Sequence, residues 1–75
     1  MSKIKVGQIY KRVDDIYVIT KTFYNGCSGE YRAYVVYNDG TSDDWSYEFI
    51  SEYSKLIAEY PTWQEAVNSK EFKDE

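Results

Sequence analysis

Residues 31–45, YRAYVVYNDGTSDDW, carry the decision about the fold of this 75-residue chain. The run from Tyr31 to Tyr37 is rich in β-branched and aromatic residues, which suit a pleated surface. Asp39-Gly40, inside NDGT at 38–41, favours a tight hairpin, so a shorter return strand is expected around Ser42 to Trp45. Register is the sensitive quantity, because side chains alternate with period two and a one-residue slip exchanges the faces. A two-residue loop sets Trp45 opposite Tyr34, whereas a three-residue loop with Gly40 in a bulge sets it opposite Ala33. The bulged turn is preferred, since Trp45 then shares a face with Tyr31, Ala33 and Val35.

Working upstream, IYVITKTFY at 16–24 has the same strand character, and NGCSGE at 25–30 joins it to the central run as a loop with two glycines. IKVGQIYKRV at 4–13 alternates around Gly7, and a hairpin about Asp14 and Asp15 follows it. Alternation predicts that Ile16 and Val18 face opposite to Tyr17, Ile19 and Phe23, and that Tyr31, Ala33, Val35 and Tyr37 face opposite to Tyr34 and Val36. One face fills the core. The other is covered by the C-terminal helix or left for a partner.

Downstream, SYEFISEY at 46–53 starts with a capping serine and spaces its apolar residues three and four apart, which predicts one or two helical turns. KLIAEY at 55–60 reads as a fifth strand, with Leu56 and Ala58 on one face and Ile57 on the other. Pro61 stops it, and Thr62 with Glu65 has capping-box spacing for a helix over about 62–68. That helix directs Trp63, Ala66 and Val67 inward, with Trp63 a packing residue. It ends at Asn68, or a second turn brings Phe72 back onto the body, and residues 73–75 form a frayed tail. The fold class expected is mainly β with a short C-terminal helix: a single domain over 1–75 whose strands, within 4–60, make a five-stranded antiparallel bent sheet or a small barrel.

Composition narrows the chemistry. Histidine is absent and cysteine occurs once, so Ser-His-Asp and Cys-His nucleophilic sites and a conventional zinc site lack their residues. Cys27 has no internal disulfide partner, which fits a reducing compartment, and it reads as an incidental loop residue. NGCSGEY lacks phosphate-loop spacing, and Asp39, Asp43 and Asp44 crowd a hairpin without the twelve-residue calcium loop. No enzyme, metal or cofactor is expected. The apolar runs are too short to span a membrane, and no signal-peptide pattern is seen.

Two resemblances add to this. Four strands in consecutive hairpins, a helical turn and a fifth strand resemble the Src-homology-3-like small barrel between Val6 and Tyr60. The Ala-Leu-Tyr-Asp-Tyr run of its proline-peptide-binding members is missing, so that activity is not carried over. LIAEYPTWQEAVNSKEF, residues 56–72, resembles the C-terminal pattern of small uncharacterised proteins encoded by phages and prophages of Gram-positive bacteria. That resemblance implies an accessory phage protein in the bacterial host cytoplasm, with no activity to transfer.

What remains is binding. Nine tyrosines and two tryptophans exceed what a core of this size needs, and such residues dominate interface hot spots. A protein partner, host or phage, is the leading expectation, with Tyr17, Tyr34, Trp45 and Tyr47 as anchors; a homodimer is a second form of it. The alternative is single-stranded nucleic acid on a Lys/Arg/Tyr face: Lys11, Arg12, Lys21 and Arg32, with Lys3 and Lys5, interleave with Tyr10, Tyr17, Phe23, Tyr24 and Tyr31. A pI near 4.7 opposes it. Residues 1–38 carry six Lys/Arg against three Asp/Glu and residues 39–75 three against ten, so the acidic half offers a third reading, mimicry of nucleic acid against a host protein.

Overall fold

The computed structural model describes residues 4–73. Five strands, β1 (Gln8–Arg12), β2 (Asp15–Asn25), β3 (Glu30–Tyr37), β4 (Ser42–Ser46) and β5 (Lys55–Glu59), form one antiparallel sheet in the order β4-β3-β2-β1-β5. Helix α1 (Tyr47–Tyr53) links β4 to β5, and α2 (Trp63–Val67) and α3 (Lys70–Lys73) follow. The sheet is not closed: β4 and β5 are its two edges. Of the two forms expected, the bent sheet is the one present. No helix among the described residues is long and apolar enough to cross a membrane.

The deciding turn has the bulged form. The Tyr37 N–H donates to Thr41 O (2.7 Å), Gly40 adopts φ +93°, and Ala33 stands opposite Trp45. Asp39 fastens the loop by accepting from Thr41 N (3.0 Å) and Thr41 Oγ1 (2.6 Å), which holds its carboxyl below the usual carboxylate range.

Apolar residues lie on both faces of the sheet, and each face has its own core. On the first, Tyr10, Tyr17, Ile19, Ala33 and Val35 pack with Ile4 and with Ile50 of α1, edged by Tyr37, Trp45 and Tyr47. On the second, Ile9, Ile16 and Val18 pack under Ala66 of α2 and Phe72 of α3, with Val36, Ala58, Tyr60 and Val67 at the margin. Long side chains bridge the first face: β1 and β4 are three strand spacings apart, about 14 Å on a flat sheet, and the Arg12 guanidinium carbon lies 5.8 Å from the Trp45 ring centroid and 5.5 Å from that of Phe49.

The helices follow their caps. Ser46 Oγ accepts from Phe49 N (3.2 Å) to start α1, and Thr62 Oγ1 accepts from Glu65 N (3.2 Å) to start α2. Both endings proposed for the tail occur in sequence: α2 stops with Asn68 as its C-cap, and α3 then returns Phe72 to the second core.

Five expectations are corrected. The first hairpin turns at Val13 and Asp14, with Arg12 opposite Asp15, so Val13 leaves the strand at φ 56° and 82% exposed. The β2 to β3 register skips Thr20, which moves Phe23 to the second face, opposite Arg32, away from Tyr17 and Ile19. The β1 to β5 register skips Ile57, so Ala58 joins Ile9 on the second face while Leu56 stands opposite Tyr10 of the first. Trp63 is 37% exposed and belongs to neither core, because the short α2 turns Ala66 rather than its first residue onto the sheet. Lys73 closes α3 instead of fraying, and the rest of the expected tail lies outside the described residues.

One glycine is indispensable to this arrangement. Gly7 adopts φ +95°, its C=O accepts from Tyr60 N (3.0 Å), and a β-carbon there would sit 2.2 Å from the Tyr60 carbonyl oxygen. It joins the start of β1 to the crossing between β5 and α2.

Candidate functional site

At the end of the sheet remote from α2 and α3, the strands outrun both cores. Tyr24 near the end of β2 pairs with Tyr31 near the start of β3, and their rings meet edge to face at 5.0 Å. Tyr31 in turn stacks on Tyr47, the first residue of α1, at 5.5 Å and 30°. The Ser46 cap orients that first helical turn and so sets the Tyr47 ring against β3. Tyr24 and Tyr31 are 56% and 58% exposed. The three rings form a ledge beside a shallow groove lined by Ser28, Gly29, Glu30, Ser46 and Glu48.

The loop below the ledge is ordered by its own bonds. Asn25 Oδ1 accepts from Cys27 N (3.0 Å), Asn25 O accepts from Gly29 N (2.8 Å), and Gly29 takes φ +71°. Arg32 braces the next strand through ion pairs to Glu30 and to Asp44 (2.9 Å), which together raise its pKa. Exposed rings held by neighbours lose little freedom on binding, and the hydroxyl of each tyrosine can reach a polar rim. The arrangement is suited to recognition by contact.

Of the four anchors expected, only Tyr47 belongs to this ledge. Tyr17 is fully buried, its hydroxyl hydrogen-bonded to Ser54 Oγ and its ring between Tyr10 (6.0 Å) and Tyr37 (5.6 Å), so it cannot touch a partner. Trp45 edges the first core: its Nε1–H donates to the Tyr37 hydroxyl (2.8 Å), and its ring stacks on Phe49 at 4.3 Å beneath Arg12. Tyr34 is exposed but lies on the second face, stacked on Phe23 at 4.8 Å. From sequence, Tyr24 is a candidate only for stacking nucleic-acid bases, and Tyr31 for that and for the sheet face it shares with Ala33, Val35 and Tyr37. The signal that marks them is their position: they bracket the Asn-Gly loop beyond the last residues a core of this length can cover.

The basic quartet does not form one surface. Lys11 and Lys21 are exposed on the second face, opposite Ile16 and Tyr34. Arg12 is on the first face, half-buried, tied to Asp15 (3.5 Å) and laid over Trp45 and Phe49. Arg32 is committed to Glu30 and Asp44. Lys5 is exposed, and Lys3 lies outside the described residues.

The chain matches no protein-family model, no curated protein and no solved structure.

Proposed function

We propose that this chain is a non-catalytic binding protein of phage or prophage origin that engages a host or phage protein through the Tyr24, Tyr31 and Tyr47 ledge. The observation that carries the reading is the ledge itself: exposed Tyr24 and Tyr31, outside both cores, in ring contact with each other and, through Tyr31, with half-buried Tyr47 at the margin of the first core. Single exposed apolar residues are ordinary, whereas a contiguous aromatic patch marks an interaction surface. The phage setting rests on the resemblance of residues 56–72, and it places the partner in the bacterial cytoplasm.

Affinity capture from host lysate tests this, with the intact chain compared against Tyr31→Ser and against Tyr34→Ser on the other face. A protein retained by the intact chain and by Tyr34→Ser but lost with Tyr31→Ser supports the ledge. Equal retention by all three chains, or retention of background alone, refutes it. The nucleic-acid alternative is checked on the same material by titration with mixed single-stranded DNA, because phosphate contacts weaken as salt rises.

A further inference from the structure

The two sheet edges differ in what they offer another strand. Along β4, Tyr37 N–H bonds Thr41 O (2.7 Å), and the alternation of an antiparallel ladder then turns the backbone groups of Ser42, Asp44 and Ser46 outward. That edge is blunted. Asp44 N–H is taken by Asp43 Oδ1 (2.9 Å), Asp44 O accepts from Arg32 Nη2 (3.3 Å), and two adjacent carboxylates repel a like strand.

Edge β5 is different. Tyr60 N–H bonds Gly7 O (3.0 Å) and Ala58 stands opposite Ile9, so the N–H and C=O of Glu59 point away from β1. Beyond the skipped Ile57, Leu56 stands opposite Tyr10, whose own backbone groups serve β2, so those of Leu56 also point away. Among the described residues, no bond outside the β1 ladder reaches Lys55–Glu59. Leu56 and Ile57 are 40% and 38% exposed. The outward groups are therefore three residues apart, where a regular strand offers them two apart.

We infer that β5 pairs antiparallel with β5 of a second copy, across a two-fold axis between Ile57 and Ala58. Only a strand carrying the same bulge presents outward groups at the same three-residue spacing, so Leu56 of each copy exchanges bonds with Glu59 of the other. Charge agrees with the direction. The strand begins with Lys55 and ends with Glu59, so the antiparallel arrangement brings unlike ends together, whereas a parallel one stacks like on like. Ile57 and Ala58 of the two copies meet at the axis and extend the second core. The contact is short and below the area of a standard interface, so association is weak and concentration-dependent. It is independent of the ledge, which each copy keeps exposed.

Sedimentation velocity and amide hydrogen exchange on the whole chain, from about 20 μM to about 1 mM, test the pairing. The expected result is a shift from the 8.9 kDa chain toward twice that mass, accompanied by roughly tenfold slower exchange at Leu56 and Glu59 N–H. Ala58 N–H, already bonded to β1, is unchanged. Ile57→Lys, at an exposed position outside both cores, abolishes the shift while leaving the amide spectrum folded. A monomer at every concentration, a dimer whose Leu56 and Glu59 amides stay unprotected, or an Ile57→Lys chain that associates like the parent would each overturn the inference.

Discussion

Gly7→Ala is the sharpest probe of how this sheet is held together. A left-handed backbone costs a residue with a β-carbon roughly 1 to 2 kcal/mol, and Gly7 sits at φ +95°. The new methyl would also lie 2.2 Å from the Tyr60 carbonyl oxygen. Because that oxygen is backbone, relief requires moving the crossing from β5 to α2, and overpacking of this kind costs about 1 to 3 kcal/mol. Alanine returns about 0.4 to 1 kcal/mol by restricting the unfolded chain. The net loss is about 1 to 5 kcal/mol, a large part of the roughly 4 to 11 kcal/mol expected of a 75-residue domain. Urea unfolding followed by tyrosine and tryptophan fluorescence reads it directly. With a slope of about 1 kcal/mol/M, the midpoint falls by about 1 to 5 M. Gly26→Ala is the control, because nothing lies within 4 Å of a β-carbon there. A Gly7→Ala midpoint indistinguishable from that of Gly26→Ala would refute the reasoning.

Two further outcomes follow from local geometry and burial. Val13→Gly should stabilise the chain by about 0.5 to 1 kcal/mol, since a β-branched residue at φ 56° is relieved and little burial is lost; a lower urea midpoint would contradict this. Alkaline pH should destabilise it. Burial, with the neighbouring Tyr17 and Glu59, pushes Tyr10 from 10.0 up to about 12, and burial also raises Tyr17 and Tyr37. The folded state holds these protons after the unfolded chain has released them. Stability is thus intact below pH 10 and declines as pH rises from 10 to about 12, by on the order of 2 to 3 kcal/mol for Tyr10 alone. Urea midpoints that stay level from pH 9 to about 11.5 would exclude that burial.

The hairpin at 38–41 was legible because two independent features agree there. Asp-Gly favours the turn, and the register that puts Trp45 with Ala33 also gives its ring a buried edge. The bulges were not legible. Across Val18 to Tyr24, apolar, hydroxylated and basic side chains suit either face, so a skip at Thr20 leaves no trace in the alternation. The same holds for Leu56, Ile57 and Ala58, three apolar residues in a row. The burial of Tyr17 is illegible for a related reason: a buried tyrosine with its hydroxyl satisfied, as in Tyr17 with Ser54, and an exposed one, as in Tyr31, are the same letter. Only the tertiary distance from the cores separates them.

That distance also determines what can be tested cleanly. Both faces of the sheet carry a core over much of β1 and β2, and the two surfaces proposed above lie away from those cores, at the hairpin end and at the β5 edge. Replacing Tyr17 would open the first core, where losing a large buried ring costs several kcal/mol, and lost binding would then report only lost folding. Tyr31 lies outside both cores, and surface changes away from such features stay within about 0.5 kcal/mol. Tyr31→Ser can therefore remove the ledge while the urea midpoint holds. A loss of partner retention at constant stability would be a property of the surface, and Tyr24 and Tyr31 allow the two to be separated because they lie outside both cores.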